Sequence, residues 1–223
     1  MENRRAFLKA LRITLVLVLP ALPASAKKSS PPLSDEESAA ITQRGRMLAE
    51  YETAAGTALK AVMATHPENG TIDHYVARKS PTGWLVAFGR FNDKHDKFLL
   101  VYEAMPGTDP EVFTVKKEDP PKEDDSFFMF AARGIDAAVH DFRGEKRPYH
   151  LAVLPAESNQ MYVYVFPAQT TAGVYPLGGD VRYLISPDGL TIIERRQYIS
   201  RFSSQGVLCQ TERKWWADFI PTC

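Results

Sequence analysis

The spacing of apolar and polar residues divides most of the chain into two helices and two groups of strands. Apolar side chains recur at helical intervals over residues 41 to 63, which predicts one long amphipathic helix. Ser34 and Glu37 precede this run and match the capping box, in which each side chain satisfies a free amide at a helix start. A second helix is predicted over residues 126 to 142, with its apolar residues on one side, as in a helix lying on a sheet.

Alternation with a period of two predicts strands after each helix. The first group covers residues 74 to 79, 84 to 91, 97 to 105 and 112 to 117, and the second covers residues 149 to 154, 161 to 166, 181 to 186 and 191 to 198. Short connections favour antiparallel neighbours, since parallel pairs need a long crossover. Pro187-Asp188-Gly189 predicts a turn between the last two strands. The charged, proline-containing segment from residue 118 to 125 is interpreted as a loop.

These elements predict the α+β class, with a long N-terminal helix followed by two mostly antiparallel four-stranded segments that a second helix separates. The similar order of the two halves suggests duplication, although no residue-level repeat supports it. The predicted organisation is a signal peptide over residues 1 to 26, a linker over 27 to 33, a single α+β domain over 34 to 202 and an irregular tail over 203 to 223.

The tail shows neither a helical nor a strand-like spacing of apolar residues. It contains both cysteines of the chain, Cys209 and Cys223. In an oxidising compartment these two thiols are candidates for a disulfide, which would close a loop of about 15 residues and contribute about 3 kcal/mol on the chain-entropy model. The alternative is a pair of free thiols. The tail itself is interpreted either as a segment packed by its two tryptophans or as the out-of-frame end of a longer protein.

The first 26 residues have the three parts of a cleavable secretory signal. Basic residues come first, residues 13 to 22 are nearly all apolar, and Ala24-Ser25-Ala26 forms the small-residue cleavage site. The apolar run is shorter than the about 20 residues that a spanning helix needs. We therefore expect cleavage before Lys27, no membrane span afterwards, and a periplasmic or secreted protein.

Residues 4 to 9 read Arg-Arg-Ala-Phe-Leu-Lys, which resembles the twin-arginine export motif. Asn3 stands where that motif usually has Ser or Thr. The resemblance covers the leader alone and implies that the protein crosses the membrane already folded. The apolar core also suits the general secretory route, so both routes stay open.

Charge argues against two classes of partner. The chain has 27 basic and 27 acidic side chains, and the predicted leader holds four of the basic and one of the acidic ones. The mature chain would thus carry a small net negative charge, which gives no support to nucleic acid or an anionic membrane surface as partner. Its length suits one domain.

The familiar motifs for nucleotide binding, zinc proteolysis, dithiol redox chemistry and hydrolase nucleophiles do not occur, so no cofactor and no metal site are predicted. Asp136 and His140 lie four residues apart on the second helix and could offer a two-point metal ligand or an acid–base pair. A solvent-facing ionic pair is the preferred interpretation.

The loop that contains Gly178, Gly179 and Asp180 is the candidate ligand-binding site. Two glycines free the backbone to approach a ligand, and a carboxylate follows directly before a strand. Polar residues upstream extend this candidate site over residues 169 to 180. The alternative is a plain connection between strands that needs a tight bend.

The preferred hypothesis is an exported module that binds an unknown small molecule or envelope protein through its sheet or through this loop. The alternative is an exported hydrolase or metal-dependent enzyme whose catalytic residues the sequence does not reveal. The first helix is also a candidate contact for a homodimer, although packing across its own sheet is the preferred role for it.

Overall fold

The computed structural model describes residues 34 to 109, 112 to 198 and 203 to 206, and it confirms the α+β class. The helices are α1 (Asp35–Met63) and α2 (Phe127–Asp141), with a short 3-10 turn at Glu157–Asn159. The strands are β1 (His74–Ser80), β2 (Gly83–Phe91), β3 (Phe98–Pro106), β4 (Phe113–Asp124), β5 (Tyr149–Pro155), β6 (Met161–Pro167), β7 (Val174–Leu177), β8 (Val181–Ile185), β9 (Ile192–Gln197) and β10 (Ser203–Gly206).

The predicted capping box starts α1. The amide of Glu37 donates to Ser34 Oγ at 3.2 Å, and the amide of Ser34 donates to Glu37 Oε2 at 2.9 Å. The helix ends at Met63, three residues before His66, whose φ of +53° is incompatible with a continuing helix. Both boundaries therefore follow from local chemistry that the sequence displays.

The strands form two antiparallel sheets. The first sheet has the order β1-β2-β3-β4, and the second has the order β5-β6-β8-β9, while β7 pairs separately with β10. Each predicted group of strands becomes one sheet, and short connections join its members except β6 and β8, between which the chain passes through β7. The two sheets lie side by side, since β1 at one end of the first sheet contacts β5 at one end of the second.

The two helices lie on opposite faces of this pair of sheets. On β1, Lys79 forms an ion pair of 2.6 Å with Glu50 of α1, whereas its neighbour Arg78 lies 4.9 Å from the ring centroid of Phe128 on α2. Successive side chains of a strand point to opposite faces, so α1 covers one face and α2 the other. We call these the α1 face and the α2 face.

The second sheet has the same two faces. The Arg44 guanidinium of α1 lies 5.3 Å from the Tyr162 ring on the α1 face. On the α2 face, α2 packs so closely that a Cβ added at Gly134 would lie 3.2 Å from Met161 Sδ and 3.3 Å from Ile185 Cγ2. The sheet pair thus lies between two helices. Its buried core lies on both faces of the first sheet, on the α2 face of the second, and at Ala152 and Leu154 on the α1 face of β5.

Tyr51 of α1 holds the two sheets together. Its hydroxyl accepts a hydrogen bond of 3.2 Å from the amide of Ala77 on β1 and a second from the backbone of Val153 on β5. The side chain is 1% exposed, and this burial raises its pKa well above the usual value, so the hydroxyl keeps its proton. β1 and β5 are the end strands of their sheets, so Ala77 and Val153 have backbone amides without a partner strand. The Tyr51 hydroxyl accepts from both.

Residues 118 to 125, interpreted from the sequence as a loop, belong mostly to β4, so that prediction is wrong. The register between β3 and β4 shifts between Leu100 and Tyr102, and the prolines at 120 and 121 fall inside this irregularity. A strand at the end of a sheet tolerates proline there, because no ladder hydrogen bond is lost. A short strand, β10, also lies within the segment from residue 203 that shows no period in the sequence.

The predicted turn between β8 and β9 is confirmed. Gly189 has a φ of +78°, and its amide donates to the carbonyl of Ser186 at 2.9 Å. A Cβ at this position would lie 2.1 Å from the carbonyl oxygen of Phe130, so the turn needs glycine for its close approach to α2 as well as for its backbone angle.

Candidate functional site on the second sheet

The α1 face of the second sheet carries aromatic and charged side chains in register. Cross-strand neighbours on one face of an antiparallel pair lie close enough to interact. The rows across this face are His150 with Phe166, then Ala152 with Tyr164, Arg182 and Arg196, and then Leu154 with Tyr162, Leu184 and Glu194. The α2 face of the same strands instead carries mainly buried aliphatic residues such as Val153, Val163 and Ile185, with one buried tyrosine, Tyr183, among them. The two faces of one sheet therefore differ in chemistry.

Three tyrosines and three arginines form what we call the tyrosine–arginine cluster, which consists of Tyr162, Tyr164, Tyr198, Arg44, Arg182 and Arg196. The guanidinium carbons of Arg182 and Arg44 lie 4.5 Å and 5.3 Å from the centroid of the Tyr162 ring. Arg196 lies 5.2 Å from the Tyr198 ring. These are cation–π distances, so the rings help to hold three positive charges on one face.

Arg182 is the buried centre of the cluster. The residue is 6% exposed, and its Nη2 donates to Glu194 Oε1 at 3.1 Å. Its Nε is buried and has no hydrogen-bond partner among the described residues. Burial disfavours the charge, but Tyr198, Tyr162, Tyr164 and Glu194 outweigh it and raise the pKa, so Arg182 stays protonated.

Tyr164 lies directly opposite Arg182 in the register of β6 and β8. It is 8% exposed, and its hydroxyl also lacks a partner within the described part of the chain. Burial raises its pKa to about 12, against the opposing influence of Arg44 and Arg182. The hydroxyl is therefore protonated at physiological pH and can donate.

Glu52 and His150 lie at the border of the same face, where the two sheets meet. Glu52 Oε1 is 3.9 Å from His150 Nδ1, and the two side chains are 26% and 32% exposed. Burial raises the pKa of Glu52 to about 7 and lowers that of His150. Burial also raises the pKa of the neighbouring Tyr75 to about 12, with a smaller contribution from Glu52. Glu52 consequently changes its charge near neutral pH while still reachable from solvent.

The predicted ligand-binding residues Gly178, Gly179 and Asp180 form the bend between β7 and β8. The two glycines have φ values of +88° and +79°, which glycine adopts without strain. Burial raises the pKa of Asp180, while hydrogen bonds from the backbone of Asp180 and Gly178 oppose that rise. The loop thus has the geometry of a tight bend closed by its own carboxyl group.

Asp180 also connects this loop to the cluster. It precedes Arg182 by two residues and so lies on the α1 face, and its carbonyl accepts from the amide of Tyr198 at 3.3 Å. Upstream, the Gln169 side chain donates to the carbonyl of Thr171 and stays within its own loop. A ligand-binding role for Gly178, Gly179 and Asp180 remains a prediction.

The predicted pairing of Asp136 with His140 is wrong. Asp136 Oδ1 lies 2.7 Å from His74 Nε2 on β1, because α2 packs on the first sheet as well as on the second, and His140 is exposed. The other ring nitrogen of His74 is buried without a partner in the described residues. The contact between His74 and Asp136 thus joins β1 to α2.

Three further predictions concern metals, membrane spans and thiols. Within residues 34 to 109, 112 to 198 and 203 to 206, no group of three or more His, Cys, Asp or Glu side chains is arranged to hold a metal ion. No helix in these ranges is long and apolar enough to cross a membrane. Cys209 and Cys223 lie outside the described residues.

Sequence reasoning did not single out Tyr164, Arg182, Glu52 or His150 as site residues. A signal for part of the cluster existed, since residues 161 to 166 alternate tyrosine and phenylalanine with aliphatic residues, which places the aromatic rings on one face. The pairing of β6 with β8, which passes over β7, brings Arg182 to Tyr164 and is not visible in local patterns.

Comparison of the chain with protein-family models, with curated proteins and with solved structures finds no match.

Proposed function

We propose that this protein is an exported ligand-binding module and that it binds through the α1 face of its second sheet. One observation carries the proposal: Arg182 and Tyr164 are more than nine-tenths buried on that face, and each has a polar atom without a partner among the described residues. Buried polar groups are costly unless hydrogen-bonded. Such groups occur where a fold gives up stability for a function.

The surroundings of this pair support binding rather than packing. The N-terminal turns of α1, residues 34 to 43, are exposed, so the helix does not seal the face as it seals the first sheet. Aromatic rings, arginines and the half-buried Glu52 and His150 lie beside the pair. A few convergent polar groups among aromatic side chains are typical of ligand sites.

A matched pair of charge reversals tests the location. Arg196 and Arg195 are neighbours on β9, on the α1 face and the α2 face respectively. The purified chain is screened by thermal shift against sugars, amino acids, phosphorylated metabolites and peptides, and each ligand found is titrated by calorimetry. We expect Arg196→Glu to weaken binding and Arg195→Glu to leave it unchanged. A ligand that both variants bind as the original chain does, or a screen without any ligand, would count against the proposal.

Export is the second part of the proposal, and the leader supports it. When the protein is expressed in a bacterial host, the mass of the protein recovered from the envelope fraction is expected to match a chain that starts at Lys27. Replacing Arg4 and Arg5 together by lysine is expected to block export if the twin-arginine route is used, and to leave it intact on the general route. A full-length protein that remains in the cytoplasm would contradict export.

Acid–base catalysis is a second candidate function, which the Glu52 and His150 pair favours. A carboxyl group with a pKa of about 7 beside a neutral imidazole suits proton transfer at neutral pH. Ester, glycoside and phosphoester substrates test it. Turnover that Glu52→Gln abolishes would support catalysis, and binding of the same compounds without turnover would exclude them as substrates.

A homodimer through α1 is a further candidate. The C-terminal part of α1 packs on β1 to β5 of its own chain, as the preferred interpretation expects, so the exposed residues 34 to 43 are where a second copy would meet the helix. Light scattering at high concentration tests this idea, and a monomer would count against it.

A further inference from the structure

The orientation of Tyr164 and Arg182 defines the chemistry of what the face binds. They are direct cross-strand partners on β6 and β8, and both side chains lie on the α1 face. Such partners hold their Cβ atoms about 5 Å apart. Both side chains also flank one ring, since the Tyr162 centroid lies 4.5 Å from the Arg182 guanidinium carbon and 6.1 Å from the Tyr164 centroid. The side chains that carry the unpartnered Tyr164 Oη and Arg182 Nε therefore lie in one region of the face.

Both unpartnered atoms are suited to donate to the same acceptor. Arg182 Nε carries a hydrogen and cannot accept, and a protonated tyrosine hydroxyl has a hydrogen to give. Glu194 already accepts from Arg182 Nη2 at 3.1 Å, which leaves the Nε hydrogen available. The missing group is therefore an acceptor, and an anionic oxygen makes stronger hydrogen bonds to such donors than a neutral one does.

The charges around Tyr164 and Arg182 also favour an anionic acceptor. Arg44 reaches over from α1 and Arg196 lies beside Arg182 on β9, while Glu194 contributes one negative charge. Of the neighbouring titratable groups on other elements, His150 on β5 and Glu52 on α1 are half-buried, and Asp180 lies at the start of β8. Within the tyrosine–arginine cluster, three arginines face one ion-paired carboxylate, Glu194, while the carboxyl groups of Asp180 and Glu52 lie at its border.

We infer that Tyr164 Oη and Arg182 Nε form a binding site for one oxyanion group of the ligand, which is a phosphate, a sulfate or a carboxylate. This inference rests on the proposed function. The oxyanion accepts from both donors, and Arg44 and Arg196 add long-range attraction.

Calorimetric titration with inorganic phosphate, sulfate and acetate at constant ionic strength tests the site directly. We expect at least one of these anions to bind the purified chain. Tyr164→Phe and Arg182→Gln are each expected to weaken that binding by about tenfold or more, since each removes one donor to an anion. Arg195→Gln, which removes a charge from the opposite face of β9, is the matched control and is expected to bind normally.

The outcomes separate the sources of the oxyanion. Tighter binding of phosphate or sulfate identifies a tetrahedral group, and tighter binding of acetate identifies a carboxylate; either supports the site if both variants lose it. Binding that survives both substitutions, or no binding of any of the three anions, overturns it. Tyr164→Phe keeps the test valid if Arg182→Gln fails to fold, because it deletes only an unpartnered hydroxyl.

The inference and the proposed function can fail separately. A ligand from the wider screen that binds through the α1 face but is not displaced by phosphate, sulfate or acetate would preserve the proposed function and contradict the oxyanion site. If neither the wider screen nor the anion titrations show binding through the α1 face, the face has no binding role.

Discussion

The single helix α1 meets the two sheets in different ways. Over the first sheet it buries Tyr51, Ala55, Ala58 and Val62, and the hydroxyl of Tyr51 has two backbone partners. Over the second sheet it contributes Arg44 to a face of tyrosines and arginines, two of whose polar atoms have no partner in the described residues.

The contrast separates residues that hold the fold together from residues that the fold merely positions. Apolar burial and a satisfied buried hydroxyl stabilise the first region. The second region buries charge and phenol groups at a cost to stability, which is understandable if a ligand supplies the missing acceptor. The two regions should therefore respond differently to mutation.

The largest expected difference comes from removing a phenylalanine from the α1 face of each sheet. Phe88 is fully buried in the first sheet, whereas Phe166 is half-buried beside His150 in the second. Phe88→Ala is expected to lower the free energy of unfolding by about 3–5 kcal/mol, and Phe166→Ala by clearly less. Urea denaturation measures both free energies of unfolding. Equal losses in the two variants would contradict the difference between the two regions.

The next effect is a pH dependence that belongs to the second region. Burial raises the pKa of Glu52 from its ordinary value of 4.5 to about 7, so the folded state holds this proton more tightly than the unfolded state. Its contribution to stability is complete below about pH 4.5 and is lost as the pH rises through about 7. The change is on the order of 3 kcal/mol.

Glu52→Gln is expected to remove this dependence, so the stability difference between variant and original chain should grow from acid to alkaline pH. The lowered pKa of His150 acts in the opposite sense, because its contribution is present above its ordinary pKa of 6.5 and is lost as the pH falls. Both proteins contain His150, so the difference between their denaturation curves isolates Glu52. Parallel pH profiles would show that Glu52 is not buried as described.

Tyr51→Phe is expected to cost about 1–3 kcal/mol, because it leaves the amides of Ala77 and Val153 without their acceptor. Hydrogen exchange should show faster exchange at these two amides than in the original chain. Tyr198→Phe, at an exposed tyrosine after β9, is the control and is expected to change stability little. Unchanged exchange at Ala77 would mean that Tyr51 does not join the sheets.

Local patterns were enough to predict most of the fold. The capping box at Ser34, the turn at Gly189 and the alternating strands of both sheets depend on neighbours in sequence, and the structure has them where the patterns place them. The charged strand β4 was misread because alternation is weak in a strand at the end of a sheet, where charge and proline are tolerated.

The candidate site could not be predicted to the same degree. The Gly178 to Asp180 loop is recognisable from its glycines, but Tyr164, Arg182 and Arg44 come from β6, β8 and α1, and only the register of β6 with β8 brings the first two together. Likewise, Asp136 was assigned to the wrong histidine because its true neighbour, His74, is 62 positions away in sequence.

The most direct test of the difference between the two regions is the same substitution made in each. Tyr164→Phe is expected to leave the free energy of unfolding unchanged or to raise it by up to about 1 kcal/mol, because it removes a buried hydroxyl without a partner, whereas Tyr51→Phe lowers it. Denaturation of the two variants under one set of conditions gives both values. Opposite or clearly unequal effects support a second sheet whose polar face is kept for a ligand; equal losses would contradict it.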